Sequence, residues 1–223
     1  MKKMNKNFAV AVISSILCTS AYAESAIVAI GPRIGTQGIG LEVRTPITEN
    51  VFARINGNYF SYKSNFKDGQ VDYKGNLTLM SVPIMVDWHP IEDSGFRLSA
   101  GIAYNGNKLK ATATPSKNIT INRHTYTPQE LGTVTAKLSL GSSIAGVASI
   151  GYDGSFINNG PLSFNFELGA MFTGKPKLKI TSTGLANKYK EEDIKRDAKK
   201  SLNDIEKYLK IYPIISLGVK YAL

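Results

Sequence analysis

The stretch "YPIISLGVKYAL" alternates: Ile215, Leu217, Val219, Tyr221 and Leu223 are apolar, and Ser216, Gly218, Lys220 and Ala222 between them are small or polar. This is the period of two expected of a half-buried strand, not the 3.6 period of a helix. The pattern recurs. "GIGLEVRTPI" sets Ile39, Leu41 and Val43 against Gly40, Glu42 and Arg44, and "VFARINGNYF" sets Val51, Ala53, Ile55 and Tyr59 against Arg54, Asn56 and Asn58. "FRLSAGIAYN" and "LSFNFELGAMF" repeat it, with Arg97 and Ser99 on one second face and Asn165 and Glu167 on the other. A first strand near Ile27 to Gly35, one ending in "LMSVPIMVDW", one through "TVTAKLSLGSSIAGVASI" and "YPIISLGVKYAL" itself bring the count to eight.

An even number lets an antiparallel up-and-down barrel close and removes the unpaired edges that lipid would not tolerate. The connectors fit that topology. Thr48-Glu49-Asn50, Pro90 to Ser94 and Asp153 to Gly160 are short, as periplasmic turns are; Lys67 to Gln70, Ala111 to Gly132 and Gly184 to Lys210 fall at the opposite end, the last two long. Thr36-Gln37-Gly38 is a tight connector at that same end. Trp88, Phe96, Tyr152 and Tyr221 stand near strand ends, where amphipathic rings favour a membrane interface. The second face separates a barrel from a soluble sandwich or lipocalin-like carrier. A solvated sheet face is rich in Lys, Glu and Thr, whereas these strands offer Gly, Ser, Asn and isolated charges that suit a crowded lumen.

The lumen set expected from this register is Arg33, Glu42, Arg44, Arg54, Asp87, Arg97, Lys137, Glu167 and Lys220, with the terminal strand Ile215, Leu217, Val219, Tyr221 and Leu223 on lipid and read in membrane assembly. Eight strands enclose a space that side chains can fill. A salt-bridged plug is therefore the first expectation and a narrow anion-favouring path the second.

The compartment comes from "MKKMNKNFAVAVISSILCTSAYAE": a basic start, an apolar run and the small-x-small Ala21-Tyr22-Ala23 read as a signal peptide over residues 1–23, leaving a barrel domain over 24–223. The one cysteine, Cys18, falls inside that leader, so the exported part has no disulfide or thiol chemistry. Beyond the leader no apolar run reaches the ~20 residues of a membrane helix. The formal net charge of +10 loses the leader's Lys2, Lys3 and Lys6, and the remaining basic excess suits anionic envelope lipid. No zinc spacing or helix-turn-helix pattern is present, so nucleic acid is not expected as a partner.

Five segments, "DWHP", "GFRLSAGIAYNGNKL", "YTPQELGTVTAKL", "FELGAMFTGKPKLKIT" and "YPIISLGVKYAL", in matching order between Ala26 and Leu223, resemble a proteobacterial family of small outer-membrane barrels similar to the carbapenem-resistance-associated (CarO-like) proteins. The resemblance implies an eight-stranded barrel and a proposed role in small-solute uptake. Leu223 stands where such barrels commonly end in an aromatic residue.

Little in the chain looks reactive. His89 sits at a turn; His124 and Ser116 lie in a long outer loop and are the residues a lipid-modifying hydrolase would use, but no nucleophile motif surrounds Ser116 and no acid lies close in sequence. "GIG" lies within a strand, so no phosphate loop is implied. In "KYKEEDIKRDAKKSLNDIEKYLK", Ile194, Ala198, Leu202, Ile205 and Leu209 recur at helical spacing, so an amphipathic helix is expected in the last outer loop over Lys188 to Lys210.

The sequence thus points to an all-β, eight-stranded antiparallel transmembrane barrel, multi-pass in a bacterial outer membrane, non-enzymatic, without cofactor or metal, with a structural or surface-contact role. A porin-like uptake channel is the alternative. The expected partners are outer-membrane lipid, lipopolysaccharide and the barrel assembly machinery, with any solute or surface partner unnamed.

Overall fold

The computed structural model describes residues 28–68, 71–91, 94–121, 124–156, 161–184 and 209–223. The leader and nearly all of the expected helix over Lys188 to Lys210 lie outside the described residues. Among the described residues, thirteen strands run in chain order. The first five are β1 (Ala29–Gly35), β2 (Gly38–Pro46), β3 (Val51–Asp68), β4 (Val71–Trp88) and β5 (Phe96–Asn105). β6 (Lys108–Pro115), β7 (Ile119–Ile121) and β8 (His124–Tyr126) follow, then β9 (Val134–Ser139), β10 (Ile144–Asp153), β11 (Leu162–Phe172), β12 (Lys177–Ser182) and β13 (Ile211–Ala222).

Eight of them close a ring in the order β1-β2-β3-β4-β5-β10-β11-β13, with β13 pairing back to β1, every pair antiparallel. Connections at one end are short, from Pro46 to Val51, Trp88 to Phe96 and Asp153 to Leu162. At the other end β1 and β2 join through a tight turn in which Gly38 has a φ of 104°, and the remaining connections carry the extra structure.

The alternation read from the sequence sorts the side chains. Ile34, Leu41, Ile84, Ile102, Phe164 and Leu217 are exposed on the outside of the ring, while Arg54, Asp87, Arg97 and Glu167 are buried inside. Trp88, Phe96, Tyr152 and Tyr221 ring the short-turn rim, and Tyr59 and Tyr104 stand toward the opposite rim. From Phe96 to Tyr104 the belt measures about 26 Å along the strand, or about 20 Å of height at a tilt near 40°. The outside of the ring thus carries an apolar band between two rims of aromatic residues.

Five of the eight strand positions in the ring continue beyond the belt. β3 and β4 run on as an 18-residue-per-strand hairpin, and β6, β9 and β12 pair beside β4 in the order β4-β6-β9-β12. These prolong β5, β10 and β11 after short breaks at 106–107, 140–143 and 173–176. Gly141 and Gly174 in the last two breaks have φ of 94° and 72°, a conformation that glycine adopts without a Cβ penalty. Asn105 donates to the carbonyls of Leu140 at 2.8 Å and Ser142 at 3.0 Å, and Asn107 Oδ1 accepts from the Met80 N–H at 2.8 Å, which ties the breaks together.

The loop expected over Ala111 to Gly132 carries secondary structure: it contains the end of β6, the β7–β8 hairpin and a one-turn helix, α1 (Pro128–Leu131). Thr127 caps α1, its hydroxyl accepting from the Glu130 N–H while Glu130 accepts from the Thr127 N–H.

Candidate functional site: the charged barrel interior

The interior is layered. Toward the short-turn end lies a cluster of charged side chains, each 4% exposed or less. Arg54 is its hub. Its Nε and Nη2 donate to the two oxygens of Asp87 at 2.8 and 3.0 Å, and its Nη1 and Nη2 donate to the two oxygens of Glu167 at 2.9 and 3.0 Å. One planar guanidinium thus clamps two carboxylates from opposite walls, a geometry that lysine's ammonium does not provide.

Arg33 reaches Glu42 at 3.1 Å and Glu167 at 2.8 Å and also donates to Ser216. Arg97 stands 3.5 Å from Asp87. It fits because residue 151 is glycine: a Cβ there would lie 2.7 Å from Arg97 Nε and 2.6 Å from the Phe166 carbonyl. Ser149 donates to Glu167 at 2.6 Å and Asn165 to Glu42 at 3.3 Å, occupying carboxylate lone pairs that the arginines leave. Lys220 lies 2.5 Å from Asp153, which also pairs with Arg44.

The short-turn mouth is closed by Arg44, Phe52 and His89. The Arg44 guanidinium lies 3.7 Å from the centre of the Phe52 ring, and His89, one residue past the end of β4, meets Phe52 edge to face at 5.3 Å. Burial first, and the Arg44 charge next, push the His89 imidazole down to about 4, so at neutral pH the ring is uncharged and its Nε2 accepts from Arg44 at 2.6 Å. Because the folded value lies below the usual 6.5, this contact adds stability above about pH 6.5 and loses it as the pH falls toward about 4. We expect the His89 ring resonances of the detergent-solubilised protein to titrate near pH 4; a midpoint above 6 would show a water-filled mouth.

Above the charged cluster, Met85, Ala103, Ala145, Val147, Met171 and Ile214 form an apolar layer, with Tyr212 packed against it. Beyond the apolar layer the interior turns polar again, with Asn58 donating to Ser81 at 3.2 Å and to Gln37 at 3.5 Å.

Eight of the nine interior positions expected from the sequence, Arg33, Glu42, Arg44, Arg54, Asp87, Arg97, Glu167 and Lys220, lie in this cluster. Lys137 does not. It is exposed on β9, beyond the ring and on the opposite face, because the 140–143 break shifts the pairing register between β5–β10 and β6–β9 by one residue. Asp153, which the sequence reading gives to the turn, belongs to the cluster; as the last residue of β10 it continues the inward parity of Ser149 and Gly151. On the terminal strand Ile215, Leu217 and Tyr221 face outward, as do Val219 and Leu223. Ser116 precedes the β7–β8 hairpin and His124 opens β8.

A closed ring of eight antiparallel strands, apolar outside and charged within, is the architecture of an outer-membrane-type β-barrel. Solved structures with a similar fold include two from one organism. Acinetobacter baumannii CarO is 21% identical with a TM-score of 0.56, over 89% of this chain and 98% of that one; CarO2 of the same organism is 18% identical with a TM-score of 0.55, over 90% and 100%. The protein thus has the CarO barrel fold, matching in architecture the resemblance carried by "DWHP" and its companion segments. No protein-family model and no curated protein matches the sequence.

Proposed function

We propose that the protein is a non-enzymatic resident of the bacterial outer membrane whose barrel is closed to solutes and whose role is structural or one of surface contact. The observation that carries this reading is the layered interior. Arg54, Arg97, Glu167, Asp87 and Lys220 are almost without solvent exposure, and Met171 and Ile214 close over them. A water-filled pore would leave such charges hydrated, whereas here each carboxylate is held by arginine, lysine, serine or asparagine.

The alternative, a narrow anion-favouring uptake channel, drew on an excess of inward positive charge. With Lys137 outside and Asp153 inside, five cations face four carboxylates, and little of that excess remains. The orientation that goes with this reading places the short turns in the periplasm and the β3–β4 hairpin outside the cell.

Purified barrel reconstituted in planar bilayers should show no steady conductance in symmetric salt. Reproducible channels would overturn the closed-lumen reading, and an anion-shifted reversal potential in a salt gradient would favour the uptake alternative.

A further inference from the structure

Beyond the membrane belt the alternation of the strands changes meaning. β4 is one unbroken strand, so Trp88, Val86 and Ile84 on the outer surface share a side with Thr78, Asn76 and Lys74 above them. The cross-strand registers carry that side across the five-stranded extension. One row reads Lys63, Asn76, Lys110, Lys137, Lys179; the row below it reads Ser61, Thr78, Lys108, Ser139, Lys177. The opposite side, which continues the barrel interior, carries Leu77, Leu109, Leu138 and Leu178 in register. In the ring the outside is apolar and the inside charged; in the extension the outside is basic and the inside apolar.

The basic side is unlike an ordinary solvated sheet face. Lys110, Lys137 and Lys179 stand directly opposite one another on three adjacent strands, an arrangement that like-charge repulsion disfavours unless anions sit between them. On this side of the described strands the one acid is Asp72, and it pairs with Lys67 at 3.3 Å. Among the described residues no carboxylate lies within ion-pair distance of Lys108, Lys110, Lys137, Lys177 or Lys179. Lys108, Lys110, Lys137 and Lys179, with Asn76 and Thr78, line a concavity of about 440 Å³.

Its height completes the argument. Lys108 follows the rim residue Tyr104 by four positions, about 10 Å of height at ordinary strand rise and tilt, and Lys110 about 5 Å more. That is outside the hydrocarbon, with Lys108 nearest the polar headgroup layer, about 5–7 Å thick, and the Lys110 row at and beyond its outer edge.

We propose that this lysine face, on strands β6, β9 and β12, binds the phosphate groups of the outer-leaflet glycolipid, lipid A. The site rests on the outer-membrane reading given above. It commits to a lipid-borne phosphate because the lysines stand over the outward, apolar surface of β5, β10 and β11, which these strands prolong, where an anchored headgroup is presented at high local concentration.

The test uses the full chain, folded in detergent micelles, with fluorescent bis-phosphorylated lipid A as the probe and its dephosphorylated form as the comparison. Wild type should prefer the phosphorylated form and release it as salt rises. Replacing Lys110→Glu, Lys137→Glu and Lys179→Glu together should weaken binding by about tenfold or more, since each surface lysine contributes appreciably to attraction for anionic lipid; the three changes to Gln should give a smaller loss. Lys117→Glu, outside this face, should change nothing.

Heat-dependent gel mobility is read on every variant, so a lost barrel is distinguished from a lost lipid site, and the Gln variants report if the Glu variants do not fold. Equal binding by wild type and the folded Gln variant would overturn the proposal. So would equal retention of dephosphorylated lipid A, or full displacement by inorganic phosphate at matched ionic strength, which would mark a free-anion site.

Discussion

Replacing Arg54 by methionine should destabilise the barrel by about 3–5 kcal/mol, the usual effect of removing one partner from a buried charge pair. The side chains are of similar bulk, so the loss is mainly electrostatic. Asp87 would give up its short contacts with Arg54 and keep Arg97 at 3.5 Å and Arg44 at 3.9 Å; Glu167 would keep Arg33 and Ser149. Adding Asp87→Asn to Arg54→Met restores the charge balance of the cluster and should recover a large part of the loss, because a neutral amide is easier to bury than an unpaired carboxylate. Urea unfolding of the three proteins from micelles, followed by heat-dependent mobility, measures both effects. An Arg54→Met barrel within about 1 kcal/mol of wild type, small against the usual buried-pair effect, would mean that water solvates the carboxylates and that the lumen is open.

The sequence made the ring legible because lipid on one side and a filled lumen on the other impose a strict alternation. β5 was read at its observed limits, Phe96 to Asn105, and Arg54, Asp87 and Glu167 could be assigned to the inside by parity alone. Parity fails where the environment or the register changes. "TVTAKLSLGSSIAGVASI" reads as one strand, yet it is β9 and β10 joined through Gly141, and Lys137 falls on the side opposite to the one that continuous counting assigns. No local signal marks the level at which lipid gives way to water, so continuous counting carries the barrel's parity from β10 into β9, where the two faces have changed character. Which arginine meets which carboxylate was beyond the sequence as well. Arg33 and Glu167 lie far apart along the chain and meet because β13 alone separates β1 from β11.

Arginine placed at Leu217 should block stable insertion, whereas the same residue at Ile91 should not. Leu217 is 59% exposed on the outside of β13, between Ile34 of β1 and Phe166 of β11, so a charge there has only apolar neighbours. It lies four residues from the rim residue Tyr221, about 10 Å into a belt about 20 Å high, which places it near the middle of the hydrocarbon. At that depth arginine costs about 2–4 kcal/mol, falling to about 0–1 at the interfaces. Val219, two residues nearer the rim, should contribute less, so the double replacement Leu217→Arg with Val219→Arg is dominated by its first member. Ile91 is equally exposed, at 56%, but sits in the turn after β4, outside the belt. Its replacement controls for the added charge itself. Outer-membrane fractions prepared from cells expressing each variant should contain Ile91→Arg at wild-type levels and little of the double variant. Comparable membrane levels for the two would show that Leu217 meets water or protein rather than lipid, and the assignment of the outer face from the alternation of "YPIISLGVKYAL" would have to be reversed.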